Sequence, residues 1–556
     1  MIDRLVAFRQ RHPLWLLVIL AVLARLLAVS VRFVIGTDEA LFLTLGRNLA
    51  DGVGYTADGR ALQVDFPPGF SLFAALVYWL GGWPELPTQI NILGFGSLIV
   101  LPVYWLGRHL ATEQTGFRAG LFVALLPALS LAQGNFEAVA EPLYSLLFYA
   151  GWALVWRALT RREAWAFPAA GLALGAAHLV RWEALILGGI AAAIIFLGLW
   201  RKGEPEPPPA PPRQYHGARA AAAAPARPAP ALLALRLNHP LAAAGLYLAG
   251  LALLALPYGA YLYAHTGAVT SPKTRITLWH AAALDAARDD PFAYEKAYDT
   301  YEAFLNDPRT PLPVPALTLG QTAARYARNG LLELKLWLTS VSLMTPLWII
   351  PALVGVGGLP RRRALFLLVP FLPLTLIPFS VMDPRYFLPA LPAALLVAAC
   401  GWNLLDDYLP VVRFMLAGRS RRWPLAAIGV ALTLLAFTLG SLAGPFLFPS
   451  PTAYRAAGLA LRDQLPPDAH VLARKRQVPF YAGAVWEWLP YGDLDDVLAY
   501  AASHDAEYLV LDDATTPALR PQLAYLLDPA LAPPSLAPIY MSAAGPRVIV
   551  YRLSAP

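Results

Sequence analysis

Apolar runs recur along this chain at a spacing that only a bilayer explains. They cover roughly 13–35, 88–106, 119–133, 141–158, 165–181, 183–200, 239–262, 336–358, 364–381, 386–404 and 424–446. A spanning helix needs about 20 apolar residues, so the expected fold is an α-helical polytopic membrane protein with about eleven transmembrane helices. The chain is 58% hydrophobic and 14% charged, with a mean hydropathy of +0.51. Soluble domains sit near 45–50% apolar and about 25% charged, which excludes an ordinary cytosolic enzyme.

The net charge of +7 reports topology. Basic residues gather in short loops between the runs, and loops kept in the cytoplasm carry excess Lys and Arg. No basic groove with interleaved aromatics is present, which argues against nucleic acid. Pro67–Gly82 is apolar but short. If it does not cross, the loops holding Arg108, Arg118, Arg157, Arg161, Arg162, Arg201, Lys202, Arg361–Arg363 and Arg419–Arg422 all share the side of the N-terminus. That segment is therefore expected to lie along, or dip into, the outer face. The N-terminus is then cytoplasmic, the C-terminus extracytoplasmic, and the location the cell membrane. The basic start and the long run 13–35, interrupted by Arg25 and Arg32, read as a retained first helix rather than a signal peptide. The single cysteine, Cys400, lies in an apolar run, so no intramolecular disulfide and no Cys-based metal site is expected.

This topology sorts the loops. Outside lie 36–87, 134–140, 263–335, 382–385 and everything after about 447; inside lies 201–238, a Pro- and Ala-rich stretch that reads as a disordered linker. Residues 1–446 form the transmembrane part. Residues 447–556 differ in composition and read as a small extracytoplasmic α/β domain. It has a helix ending at Leu461–Leu465, a strand at Val471–Leu472, a helix at Leu494–His504, and strands at Tyr508–Asp512 and Arg547–Leu553.

Ionisable residues at the ends of spanning helices are costly and mark function. Asp38 and Glu39 open the first outer loop. Adjacent helical residues point about 100° apart, so one carboxylate can face a substrate while the other holds a cation or neighbour; both can equally cap the helix that follows. Asp65 precedes Phe66-Pro67-Pro68-Gly69, a corner stiffened by two prolines. The turn with Asn135 and Glu137 leads to Glu141, which heads a helix with Pro142 in the position proline favours. Arg181 stands two residues before Glu183, and either pairs with it or takes a phosphate, which a guanidinium binds bidentately. The long outer loop carries His265 and Lys273. In Met382-Asp383-Pro384-Arg385-Tyr386, an arginine opens a helix against its macrodipole, so something must hold it: Asp383, the interface, or a lipid phosphate. No P-loop, Rossmann, HExxH or GxSxG pattern stands in a supporting context; no cofactor and no metal-ligand cluster is expected, and a requirement for a divalent cation is left open.

Taken together, Asp38-Glu39, Phe66-Pro67-Pro68-Gly69, Glu141-Pro142-Leu143, Arg181-Trp182-Glu183 and Arg385-Tyr386-Phe387-Leu388-Pro389 resemble the family 39 and related membrane glycosyltransferases of the GT-C fold. That group includes the protein O-mannosyltransferases and the lipid A aminoarabinose transferases. The resemblance covers the first helix to about residue 405. It implies a polyprenyl-phosphate sugar as donor and a glycan, lipid or protein acceptor at the outer face. It implies Asp38, with Glu39 second, as the catalytic carboxylate, and Arg385 and Tyr386 near the lipid phosphate; the joint placement of Asp65, Glu141, Glu183 and His265 at the outer side adds them to the expected substrate cavity. The aminoarabinose transferases carry Glu-Lys before the double proline, the lysine lying near the phosphate. Here Asp65-Phe66 stands in that place, so Arg181 or Lys273 must supply the charge. One displacement, with Asp38 taking the acceptor proton, would invert the anomeric centre. A transporter or flippase of lipid-linked sugars is the rival reading; it calls for internal repeats and broken helices at mid-membrane, and neither stands out in the sequence.

Overall fold

A computed structural model describes residues 11–30, 34–130, 140–200, 236–287, 289–313, 317–379, 384–409, 411–416, 419–447, 452–466, 468–542 and 546–554. The linker up to residue 235 and the residues Asn135, Glu137, Met382 and Asp383 lie outside the described residues. Five described helices are long and apolar enough to cross a membrane: Leu86–Leu110, Glu183–Trp200, Pro240–Thr266, Arg385–Tyr408 and Leu425–Ala443. Shorter apolar helices run over Pro13–Leu26, Gly69–Trp79, Ala166–Val180 and Ile349–Gly358.

The doubtful segment forms the helix Gly69–Trp79 of 11 residues. At 1.5 Å per residue it reaches about 16 Å, half of a hydrocarbon core of about 30 Å. It packs instead on the helix Thr37–Ala50. Ser71 donates its hydroxyl to the Phe42 carbonyl at 3.0 Å, and Gly46 lets the two backbones approach, since a Cβ there would lie 2.6 Å from that of Ala74. Leu72, Leu76, Trp79 and Leu80 face outward.

Polar groups inside the bundle are spent on helix ends and packing. Arg25 is fully buried and donates to the carbonyls of Ala21 at 3.1 Å and Ala124 at 3.3 Å. A π-helical turn at Asn91–Phe95 presents the Asn91 side chain to the Leu143 N–H at 3.1 Å, satisfying an orphan donor at the start of the helix Glu141–Arg161.

The expected spans 336–358 and 364–381 are not continuous α-helices. Over 336–358, the amphipathic helix Leu319–Thr339 ends, and a new helix starts only at Ile349. Pro346 cannot donate and disfavours a helical residue before it, and Met344 takes φ +47°. The freed carbonyls find donors: Ala128 N–H to Ser342 at 3.0 Å and the Trp348 indole to Leu343 at 2.9 Å. Over 364–381, the α-helix Arg361–Leu368 tightens into a 3-10 segment, Val369–Phe379, that contains Pro370, Pro373 and Pro378. Ile349–Gly358 rests closely on Leu391–Tyr408: a Cβ on Gly401 would fall 1.7 Å from the Pro351 carbonyl, and one on Gly355 2.1 Å from that of Val397.

Strands β1 (Val411–Leu416) and β2 (Arg419–Pro424) form an antiparallel hairpin that the sequence did not announce. The C-terminal part holds a five-stranded sheet of β3 (His470–Ala473), β4 (Val485–Trp488), β5 (Ala506–Asp512), β6 (Leu536–Met541) and β7 (Val548–Leu553), in the order β4-β3-β5-β7-β6. The pairs involving β3 are parallel and the others antiparallel. Side chains alternate between two apolar layers. Val471, Val510 and Val550 meet the helix Thr452–Leu461; Leu472, Leu509 and Ile549 meet Leu494–Ser503.

One ionic clasp joins this sheet to the long segment after the helix Pro240–Thr266. Glu295, 2% exposed, accepts from Arg474 at 2.7 Å and from Arg520, 1% exposed, at 2.8 Å. Tyr298 stacks on Trp488 at 3.5 Å beside it. Removing one partner of a buried ionic cluster strands the other charge and costs about 3–5 kcal/mol. Glu295→Ala is therefore expected to lower the melting temperature of the detergent-solubilised protein. It should also expose residues 289–313 to limited proteolysis before the rest of the chain. Unchanged melting and cleavage would mean that the clasp does not hold the segment.

Candidate functional site

The ends of several helices and the segments that join them enclose one cavity of about 490 Å³. Its polar lining is Asp38, Asp65, Glu141, Arg181, Glu183, Lys273, His280 and Arg385, with Tyr386 beside them. Eight of the side chains singled out in the sequence thus meet in one space, drawn from segments as far apart as residues 38 and 386.

The Asp-Glu pair divides as the helical angle requires. Gly36 is the extended N-cap of Thr37–Ala50. Glu39 turns back to accept from its N–H at 2.8 Å and is 3% exposed; it does not line the cavity. Asp38 faces the cavity and receives Arg385 Nη1 on Oδ2 at 2.6 Å. Arg385 comes from the 3-10 turn Pro384–Ala390. That turn is itself fixed by Tyr149, whose hydroxyl donates to the Pro389 carbonyl at 2.7 Å and accepts from Ala393 N–H at 3.1 Å. Arg181 occupies an extended residue between the helices Ala166–Val180 and Glu183–Trp200. It is held by Glu183 at 2.8 Å and by Glu141, with the rings of Tyr144 and Tyr386 each 5.9 Å from its guanidinium carbon. Its charge is already matched by two carboxylates.

Lys273 opens the helix Lys273–Ala286. Its ammonium has no ion-pair partner among the described residues and rests 4.1 Å from the centre of the Phe66 ring. Thr277 and His280 follow at the spacing that puts side chains on one helical face, and both line the cavity. Asp65 is 1% exposed; its Oδ2 accepts from the Tyr301 hydroxyl at 2.7 Å, and its Oδ1 has no hydrogen-bond partner among the described residues. His265 does not reach the cavity. It ends the helix Pro240–Thr266 and packs on Tyr261 at 4.7 Å, so its expected place in the lining is corrected. His280 and Tyr301 escaped the sequence reading; the Lys273-Thr277-His280 spacing was the signal for the first.

Burial pushes the Asp38 carboxyl up, but Arg385, Arg476 and Lys273 outweigh it, and the net direction is down, so Asp38 is ionised at neutral pH. Asp65 goes the other way: burial raises it and Lys273 and Tyr301 only partly oppose. Burial also lowers Lys273, against the pull of Asp65 and Asp38. Burial and Lys273 bring His280 down to about 4, so its ring is neutral near pH 7. Away from these groups the lining is apolar: Phe148, Ile186, Leu187, Pro370, Pro373, Leu374 and Ile377. Such a space offers an ionised carboxylate, one unmatched cation and a greasy wall to a single ligand.

No protein-family model matches the chain, and no curated protein matches it in sequence. Solved structures do match in three dimensions. ArnT from Cupriavidus metallidurans bound to undecaprenyl phosphate aligns with a TM-score of 0.54 at 14% identity, over 97% of this chain and 98% of that one. The archaeal oligosaccharyltransferase AglB from Archaeoglobus fulgidus, in complex with an inhibitory peptide and a dolichol-phosphate, aligns with a TM-score of 0.50 at 11% identity, over 91% and 70%. The same enzyme tethered to an acceptor peptide aligns at 0.53, 13%, 99% and 75%. The chain therefore has the GT-C fold, with apolar helices and a small C-terminal sheet.

The raised Asp65 carboxyl has a consequence for stability. A folded-state pKa above the unfolded one means that the native state binds the proton more tightly. It gains stability as pH falls and loses it as pH rises through the folded value. Asp65→Asn removes that burden while leaving an oxygen for Tyr301. Its melting temperature is expected to exceed the wild type at about pH 8, and the excess to shrink as pH falls towards about 5. An equal difference at every pH would show that Asp65 does not titrate in this way.

Proposed function

We propose that this chain, built on a fold shared with enzymes that bind lipid-carrier phosphates, moves a sugar from a polyprenyl-phosphate donor to an acceptor hydroxyl at the outer face of the membrane, with inversion. The observation that carries the reading is one cavity with an ionised aspartate, Asp38, and an unmatched ammonium, Lys273, set against an apolar wall. A carrier lipid needs all three: a cation for its phosphate, a greasy surface for its first isoprene units, and a carboxylate where the acceptor arrives. The ligands of two matching structures, undecaprenyl phosphate and a dolichol-phosphate, are of this class.

In this reading the acceptor oxygen attacks the anomeric carbon as the bond from that carbon to the phosphate oxygen breaks. The bonding pair leaves with the phosphate, and the acceptor proton passes to Asp38. Arg385 keeps Asp38 ionised and oriented until then; such general-base assistance contributes typically 10²–10⁴-fold. Lys273 meets the charge growing on the departing phosphate. It does so from directly over Phe66, the residue that stands where related enzymes carry a lysine, so a cation from the second outer segment fills the position the first lacks. Arg181, bound by two carboxylates, is a strut for the walls rather than a phosphate ligand. Glu141 and Glu183 hold that strut. The aromatic faces of Phe66, Tyr144 and Tyr386 suit a sugar ring, and His280, neutral, can bond its hydroxyls.

The test uses the full chain in nanodiscs with a panel of radiolabelled undecaprenyl-phosphate sugars and a membrane extract as acceptor source. Wild type is expected to consume one donor. Asp38→Asn should consume it at least about 100-fold more slowly while binding undecaprenyl phosphate as before. Lys273→Gln should weaken that binding about tenfold, the loss of one charge-assisted contact. Because Lys273 is lowered by burial, wild-type binding should fail on the alkaline side at a pH below the ordinary lysine value. Full transfer by Asp38→Asn would remove it as the base. No consumption of any donor would favour a transporter or a scaffold.

A further inference from the structure

The turn after β3 carries three successive cations, Arg474, Lys475 and Arg476. Two have partners: Arg474 grips Glu295 at 2.7 Å, and Lys475 donates to the Tyr454 hydroxyl at 3.2 Å. The Arg476 side chain has no hydrogen-bond or ion-pair partner among the described residues, and its Nε is buried without one. Its guanidinium carbon lies 3.9 Å from the centre of the Trp486 ring. Stacking fixes the guanidinium plane and leaves its edge for a ligand.

The position of that edge follows from its neighbours. Gln477, the next residue, accepts from the Thr37 hydroxyl at 3.1 Å, and Thr37 directly precedes Asp38. Four residues on, the Tyr481 hydroxyl accepts from Ile35 N–H at 3.2 Å. The segment 476–481 therefore lies along 35–38, and the positive charge of Arg476 is felt by both Asp38 and Asp65. Lys273 approaches the same two aspartates from the other outer segment. A partly buried cation with no counter-ion is costly to keep, and a planar guanidinium matches a phosphate with two parallel N–H bonds.

We propose that Arg476 is an anion-binding residue which the C-terminal part contributes to the carboxylate end of the cavity, and that the anion is a substrate phosphate. The assignment rests on the transfer reading above and extends it. The C-terminal sheet then supplies a ligand-binding side chain as well as a clasp. The phosphate belongs either to the carrier lipid or to an acceptor that bears one.

The experiment measures binding to the full chain in nanodiscs with two probes: undecaprenyl phosphate, and radiolabelled inorganic phosphate retained at saturating undecaprenyl phosphate. Arg476→Gln, the charge-retaining Arg476→Lys and the neighbouring control Lys475→Gln are compared, with melting temperatures to confirm folding. About tenfold weaker binding of undecaprenyl phosphate by Arg476→Gln, partly restored by Arg476→Lys and absent in Lys475→Gln, identifies the carrier phosphate. Unchanged undecaprenyl phosphate binding with loss of retained inorganic phosphate identifies a second, acceptor-side phosphate. Wild-type values for both probes in Arg476→Gln overturn the proposal and leave Arg476 as packing for Trp486. If wild type fails to bind undecaprenyl phosphate at all, the transfer reading falls, while the inorganic phosphate comparison still decides Arg476.

Discussion

The ion pair between Asp38 and Arg385 closes a contact across 347 residues of chain, and much of the structure exists to make it possible. A carboxylate at the edge of an apolar bundle is costly unless a cation meets it. Arg385 can do so only because the chain before Leu391–Tyr408 is wound as a tight 3-10 turn instead of an α-helix. Tyr149 holds that turn through Pro389 and Ala393. It sits on the helix that Glu141 heads, and Glu141 in turn holds Arg181. The charged lining is thus one connected set, in which each ion fixes an element that carries another.

The long segments between the bundle helices are as constrained as the bundle. The chain from Lys273 to Asn306 puts Lys273 and His280 into the cavity and Tyr301 onto Asp65, while Glu295 and Tyr298 bind the sheet. That segment lies between the cavity and the sheet, and packs its own apolar cluster of Ile276, Trp279, Tyr298, Tyr301 and Phe304 against Trp488.

This explains what could be read in the sequence and what could not. Apolar runs and the acids and bases at their ends follow from bilayer physics, which acts on every residue locally, so Asp38, Asp65, Glu141, Arg181, Glu183, Lys273 and Arg385 were all visible. Partnership was not, because it depends on packing between distant segments. Arg385 stands near Asp383 in the sequence and pairs with Asp38 in space. Glu39 looked equivalent to Asp38 until the N-cap claimed it. The expected span 336–358 was judged by hydropathy, which overlooks the missing N–H of Pro346. In the sheet, β6 hid because Pro538 disqualifies a central strand; it is tolerated only because β6 is an edge. β4 has four residues, too few to show alternation.

The two cavity aspartates divide the electrostatic work between them. Environments that push like groups apart are how one site keeps an ionised and a protonatable carboxyl side by side. Asp38 is driven down by Arg385 and stays charged. Asp65, further from any direct ion pair, is driven up by burial. With Asp38 matched by Arg385, and Arg181 shared between Glu141 and Glu183, the balance seen by the phosphate of the proposed donor turns on Lys273 and on whether Asp65 is charged. A proton on Asp65 removes the repulsion nearest to Lys273. By linkage, a phosphate that binds better when Asp65 is neutral must also tighten that proton. Under the proposed transfer, an anion can therefore be admitted without breaking the Asp38–Arg385 pair, and Asp38 stays ionised for the other substrate.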